Sequence, residues 1–317
     1  MTKKALGGSG ISVAPLALGG NVFGWTIDEQ VSFKVLDAFV DFGFNLIDTA
    51  NTYSVWVPGN KGGESETIIG NWLKSSGKRD QIVLATKVGM QMGDGMKGLK
   101  REYILQSLDA SLKRLQTDHV DLYQSHQDDA TTPLEETLSA YDTLIKSGKV
   151  RAIGASNYDA PRLAESLKVS AENHLPAYVC LQPEYNLYDR KGYEEALEPL
   201  CLEKGLGVIS YFSLASGFLT GKYRSQADLG QSVRGESIGK KYLNERGKKI
   251  LAALDEVAKA HQTVPAVIAL AWLIQRKSVT APIASATSVR QLSELVKSAE
   301  IRLSAEQVNR LEAASAK

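Results

Sequence analysis

The stretch Phe44-Asn45-Leu46-Ile47-Asp48-Thr49-Ala50-Asn51-Thr52-Tyr53 is an apolar run that ends in an acid, with a tyrosine one short loop later. Phe44, Leu46 and Ile47 favour burial, so Asp48 falls where a strand leaves the core and Tyr53 on the loop that emerges. Two later stretches repeat the arrangement. Ile82-Val83-Leu84-Ala85-Thr86-Lys87 closes on a lysine, and Val120-Asp121-Leu122-Tyr123-Gln124-Ser125-His126 closes on a histidine. If these strands are parallel neighbours, Asp48, Tyr53, Lys87 and His126 meet at one face.

Outward from these three stretches, the chain alternates apolar runs of strand length, polar loops and segments of helical spacing. Strands are expected near 16–19, 44–47, 82–86, 119–124, 150–154, 178–181, 207–210 and 280–283. Helical stripes lie between them, as at Val31, Val35 and Phe39, or Leu134, Leu138, Tyr141 and Ile145. Thr132-Pro133 and Val264-Pro265 mark helix starts, and Gly148 marks a stop. Eight strand–helix alternations without a break in composition predict a single domain over 1–317, an α/β (β/α)8 TIM barrel. Lys4-Ala5-Leu6 and Ile11-Ser12-Val13 predict an N-terminal β-hairpin that plugs one end, and Leu303-Ser304-Ala305-Glu306 opens a C-terminal capping helix.

A doubly wound sheet would instead bind a dinucleotide on a glycine-rich first turn. That spacing occurs at Gly93-Asp94-Gly95-Met96-Lys97-Gly98, but five residues beyond Lys87 rather than directly after a strand, so a loop beside the mouth is the simpler reading. The irregular stretch 212–241 is rich in glycine, serine, lysine and arginine, and its part from Arg224 to Arg234 reads as a solvated lid.

Composition narrows the partners. Thirty-seven basic and 36 acidic residues leave a net charge of +1, which gives no global field for nucleic acid or a membrane surface. Cys180 and Cys201 have no metal-ligand or disulfide spacing and read as buried free thiols; no metal is expected. The basic start Met1-Thr2-Lys3-Lys4 runs into glycines rather than a signal-peptide core, and no apolar run reaches the roughly twenty residues of a membrane span. A soluble cytoplasmic protein acting on a small molecule is expected, as a monomer or a homo-oligomer.

The four polar groups suit one kind of chemistry. A phenol has a reference pKa of about 10 and is a poor acid unless its phenolate is stabilised. An ammonium beside it does so, and a carboxylate keeps that amine protonated in a buried site. A neutral histidine can orient a substrate oxygen. The set forms a proton relay aimed at an oxygen that gains negative charge, as in carbonyl reduction. Any one of these residues alone could be a helix cap or a satisfied core group; the joint pattern carries the reading.

In this order, each just past a strand, Asp48, Tyr53, Lys87 and His126 resemble the catalytic tetrad of the aldo-keto reductases, and the similarity runs from about Gly7 to the last helix. The resemblance implies reduction of an aldehyde or ketone by a nicotinamide cofactor with Tyr53 as proton donor. It also implies cofactor contacts at Gly19, Gly20, Asn21, Asp48, Ser156, Asn157 and Gln182, with Tyr211 stacked on the nicotinamide. Phe212, Ser213, Leu214, Gly217, Leu219, Gly221 and Lys222 would follow the pyrophosphate. Ser285, Thr287, Arg290, Gln291 and Glu294 would hold the adenine end.

That last segment departs from the family pattern: the nearest cation to the 2′ position is Arg290, and Leu295 stands where an asparagine is usual. NADP (NADPH) is favoured, with NAD still possible. Trp25 and Trp56 are expected to form an aromatic wall of the substrate pocket, whereas Trp72 and Trp272 lie in helical runs and read as core. Two other functions stay open. Lys87 could form a Schiff base in a lyase, which Asp48 opposes by keeping the amine charged. The chain could also be a cofactor-binding regulatory subunit.

Overall fold

The computed structural model describes residues 2–92 and 95–316. A hairpin of β1 (Lys4–Ala5) and β2 (Ser12–Val13) precedes eight parallel strands: β3 (Ala17–Gly19), β4 (Leu46–Asp48), β5 (Val83–Val88), β6 (Val120–Ser125), β7 (Val150–Ser156), β8 (Cys180–Gln182), β9 (Gly207–Val208) and β10 (Ile283–Ala284). From β3 to β9 each pairs with the next in chain order, and β10 pairs back with β3. The ring closes through backbone donors after β9: Thr280 N gives to Val208 O at 2.8 Å and Ile283 N to Ser210 O at 2.8 Å. Most strands keep to the expected stretches, but the last two are shorter because residues 209–210 and 280–281 bond singly rather than as a ladder.

Helices α1 (Glu29–Asp41), α2 (Glu64–Ser76), α3 (Arg101–Leu115), α4 (Leu134–Lys146) and α5 (Ala160–Glu172) wrap the first strands. Later come α6 (Lys191–Glu194), α7 (Leu197–Lys204), α8 (Gly235–Lys241), α9 (Glu245–Ala260), α10 (Pro265–Gln275), α11 (Val289–Leu295) and α12 (Ala305–Ser315). Their starts follow local chemistry: Asp28, Asp159, Asn244, Ser288 and Ser304 each accept a first-turn backbone N–H, and Pro265 opens α10. Pro133 is the cap of α4 rather than its first turn, and Gly148 follows it at φ 77°. Trp72 and Trp272 are core. α12 packs on α9 and is held by Arg276, whose Nη1 donates to Glu312 Oε1 at 2.8 Å.

Alternation along the strands makes two layers inside the ring. Leu46, Ala85, Leu122, Ala152 and Cys180 form one apolar cluster with Leu6, Ile11 and Val13, so the hairpin caps the amino-terminal end of the barrel. Gly7 is required there: at φ +54° a Cβ would lie 2.0 Å from Val179 O. Two residues farther along β4, β5, β6 and β8 stand Asp48, Lys87, Gln124 and Gln182, a polar layer at the carboxyl end. Gly93 and Asp94 of the glycine-rich spacing lie outside the described residues; Gly98 N bonds back to Gly89 O in the loop between β5 and α3. The stretch 212–241 is more ordered than its composition suggested, with two 3-10 segments and α8; Ser225 and Asp228 form a capping box at the start of the second 3-10 segment. Cys180 and Cys201 are buried free thiols. Among the described residues, no single helix is long and apolar enough to cross a membrane.

Candidate active site

At the carboxyl end of the ring, Lys87 spends all three ammonium protons on acceptors: Asp48 Oδ2 at 2.6 Å, Thr49 O at 2.9 Å and the Tyr53 phenol oxygen at 2.8 Å. Both Lys87 and Asp48 are buried. Tyr53 Oη can give its own proton to Asp48 Oδ2, at a long 3.3 Å, so that hydrogen bond is weak. The His126 ring stands 5.9 Å from the Tyr53 ring at 70°. The four side chains named from the sequence are therefore together, brought there by β4, β5, β6 and the loop after β4.

Burial decides the protonation states. It pushes the Tyr53 phenol well above its ordinary value, and the charge of Asp48 adds to the effect, so the phenol keeps its proton at neutral pH. Burial pulls Lys87 below the usual lysine value, opposed by Asp48 and Glu66. His126 is driven well below the ordinary imidazole value by burial and then by the Lys87 charge, so it is neutral. Its Nδ1 is buried without a hydrogen-bond partner among the described residues.

A cleft of about 1010 Å³ opens over this layer, lined by both Tyr53 and His126 and running out to Thr287 and Gln291 beside α11. Of the residues expected to touch a cofactor, Gly20, Leu219, Gly221 and Arg290 stand back from its wall; the rest line it. Leu219 is wholly buried, Gly20 packs over Ser65, and Arg290 lies exposed on the first turn of α11. The polar groups at the floor are already engaged with one another. Asn157 Nδ2 donates to His126 O at 2.8 Å, Tyr211 Oη donates to Asn157 Oδ1 at 2.8 Å, and Ser156 Oγ donates to Gln182 O at 2.8 Å. Trp56 lines the cleft, while Trp25 supports it from behind, ring centroids 5.4 Å apart at 84°.

The aldo/keto reductase family model matches residues 15–316. The chain belongs to the aldo/keto reductase family. Its relatives include the uncharacterized oxidoreductase YrpG of Bacillus subtilis, 37% identical over 309 residues, covering 95% of this chain and 92% of that protein. A probable voltage-gated potassium channel subunit beta of Oryza sativa subsp. japonica is 33% identical, covering 99% and 96%. The L-glyceraldehyde 3-phosphate reductase of Escherichia coli O157:H7 is 33% identical, covering 93% and 87%. Family and relatives together support a general oxidoreductase role.

Among the residues that escaped the sequence reading are Gln124, in the polar layer beneath the cleft, and Arg234, in its wall. Gln124 faces inward beside Asp48, and its Nε2 donates to Asp48 Oδ1 at 3.2 Å. Gln182 Nε2 donates to the same oxygen at 2.9 Å and to Gln124 Oε1 at 3.2 Å. The signal for Gln124 was available: it stands two residues after inward-facing Leu122. Arg234, read as part of a solvated lid, lines the cleft with its guanidinium 4.8 Å over the Trp25 ring. No local pattern in the sequence marks it.

Proposed function

We propose that the protein reduces the carbonyl group of small aldehydes or ketones to an alcohol, using NADPH in preference to NADH, with Tyr53 as the proton donor. The observation that carries this is the Lys87–Tyr53 hydrogen bond of 2.8 Å at the floor of a cleft. The donor set fits a dinucleotide: amides and hydroxyls of Ser156, Asn157 and Gln182 beside the phenol, then Lys222 and Arg234 along the cleft, with Gly217 leaving its Cβ space open. A bound reduced nicotinamide supplies the hydride.

The chain's own residues do the rest. Ser156, Asn157 and Gln182 would hold a carboxamide and Tyr211 would lie against the nicotinamide; orientation of this kind is worth several kcal/mol of barrier. Neutral His126 hydrogen-bonds the substrate oxygen and holds it near the phenol. Tyr53 gives its proton to that oxygen, and the ammonium of Lys87 stabilises the phenolate left behind. Trp56 presents an apolar wall that suits ring or alkyl substituents on the carbonyl. Lys87 has no lone pair to offer while its three protons are bound, which argues against a Schiff-base lyase. Arg290, exposed on the first turn of α11 next to the cleft residue Gln291, is the cation of the adenine-end segment and is assigned a 2′-phosphate that would project past the cleft wall.

The length of the match to a channel subunit beta favours one second reading, a cofactor-binding regulatory protein. Loss of the reduced-nicotinamide absorbance, followed with both cofactors over a panel of aldehydes and ketones, separates the two. Turnover supports the reductase. Tight cofactor binding with no consumption on any carbonyl would replace it with the regulatory reading.

A further inference from the structure

The relay just described uses one buried acid, Asp48, yet a second lies behind it. Glu66, on α2, is fully buried. Its Oε1 accepts from Thr86 Oγ1 at 2.6 Å, and its Oε2 accepts from Arg114 Nε at 2.7 Å. Thr86 immediately precedes Lys87 on β5, and alternation points the two in opposite directions: Lys87 into the barrel, Thr86 out toward α2. Glu66 therefore sits directly behind the strand that carries the ammonium, with only backbone and packed side chains between them.

The surroundings are shaped to hold this group. A Cβ on Gly70 would lie 2.0 Å from Arg114 O, and one on Gly63 would lie 2.5 Å from Arg114 Cδ, so two glycines let α3 and its arginine close over the acid. Arg114 is itself a quarter exposed, and Ser111 Oγ takes its Nη2 at 3.1 Å. Water screens the arginine's charge in part, whereas no solvent reaches Glu66, so Arg114 offsets the acid's charge incompletely.

Resting on the reading of Tyr53 as proton donor and Lys87 as its partner, we propose that Glu66 is a positioning residue of the relay. Through Thr86 it fixes the end of β5, and its charge, acting across the strand, helps keep Lys87 protonated. The need is physical. Asp48 cannot serve Lys87 alone, because it also takes bonds from Tyr53, Gln124 and Gln182, and its charge raises the phenol together with the amine. The charged or titratable groups facing Lys87 are Asp48, Tyr53, His126 and Glu66; those facing Glu66 are Arg114, Lys87 and Tyr123. Burial lowers Lys87, and Asp48 and then Glu66 act against it.

Glu66→Gln keeps the shape, since the amide can accept from Arg114 and donate to Thr86, but removes the charge. The alkaline limb of kcat/KM, which reports the coupled Lys87–Tyr53 pair, should move toward acid by roughly half a pH unit or more. The carbon-13 resonance of Lys87 Cε, titrated in the protein without substrate, should move in the same sense. Arg114→Gln removes the opposing cation, so both readouts should move toward alkali. Thr86→Val should lower kcat without displacing the limb.

Unmoved limbs and an unmoved Lys87 titration in both charge variants, or displacements of the same sign, would overturn the proposal. If Glu66→Gln does not fold, the alkaline displacement in Arg114→Gln decides by itself. A wild-type protein that consumes no reduced nicotinamide with any carbonyl would remove the reductase reading, while the Lys87 titration would still decide the role of Glu66.

Discussion

The ammonium of Lys87 bridges Asp48 Oδ2 and the Tyr53 phenol oxygen, at 2.6 Å and 2.8 Å. Neither charge of the Lys87–Asp48 pair reaches solvent, so the pair is stable only as a pair. Lys87→Met should cost about 3–5 kcal/mol of folding stability by leaving the carboxylate unpaired. The double variant Lys87→Met with Asp48→Asn should recover much of that loss while staying inactive. Urea melts and initial rates on the three proteins check this; a single variant as stable as the wild type would show that the pair is not buried as described.

The contact between α2 and α3 gives a second expectation. Alanine at position 70 would gain helix propensity of about 1 kcal/mol over glycine, but its Cβ would meet Arg114 O at 2.0 Å. The helices would have to part, at a cost of about 2–3 kcal/mol. Gly70→Ala should therefore lower the urea midpoint, and an unchanged or higher midpoint would refute the close packing.

His126 makes stability depend on pH in a defined direction. Its folded value lies well below the ordinary one through burial and the Lys87 charge, whereas in the unfolded chain it titrates near the ordinary value of about 6.5. Above that pH both states carry a neutral ring and the group contributes no slope. Below it the unfolded chain binds a proton that the folded chain refuses, so stability falls as pH falls, by about 1 kcal/mol between pH 6.5 and 5.5. His126→Gln should lose that increment of slope. Equal pH dependence of the two proteins in urea melts would mean that the ring accepts a proton in place.

The proposed preference for NADPH assigns the 2′-phosphate to Arg290. A charge-assisted bond to a 2′-phosphate is worth about 1.5–3 kcal/mol, so Arg290→Ala should raise KM for NADPH about tenfold or more and leave KM for NADH unchanged. Michaelis constants for both cofactors in both proteins check it, and an undiminished NADPH preference would clear Arg290 of the role.

Much of this was legible in the sequence, for identifiable reasons. Asp48, Lys87 and His126 each end an apolar run, so counting strands also counts the site. Leu219 and Gly20 followed a family pattern, but a position in sequence does not say which way a side chain faces: Leu219 points into the core. Gln124 was passed over because it sits inside an apolar run whose end drew attention to His126, although alternation from Leu122 puts it beside Asp48. Arg234 reaches the cleft only through the path of a long connection, anchored elsewhere by Arg224 bonding Asp255 at 2.8 Å and 2.7 Å. Such paths are set by tertiary contacts that local pattern does not encode.

The central claim is that the Tyr53 phenol gives the proton, and Tyr53→Phe removes that oxygen and little else. Its rate of reduced-nicotinamide consumption on a good aldehyde substrate should fall by about 10²–10⁴-fold, with the dissociation constant for the cofactor within about twofold of wild type. Turnover retained near the wild-type rate, with the cofactor bound equally well, would contradict the account.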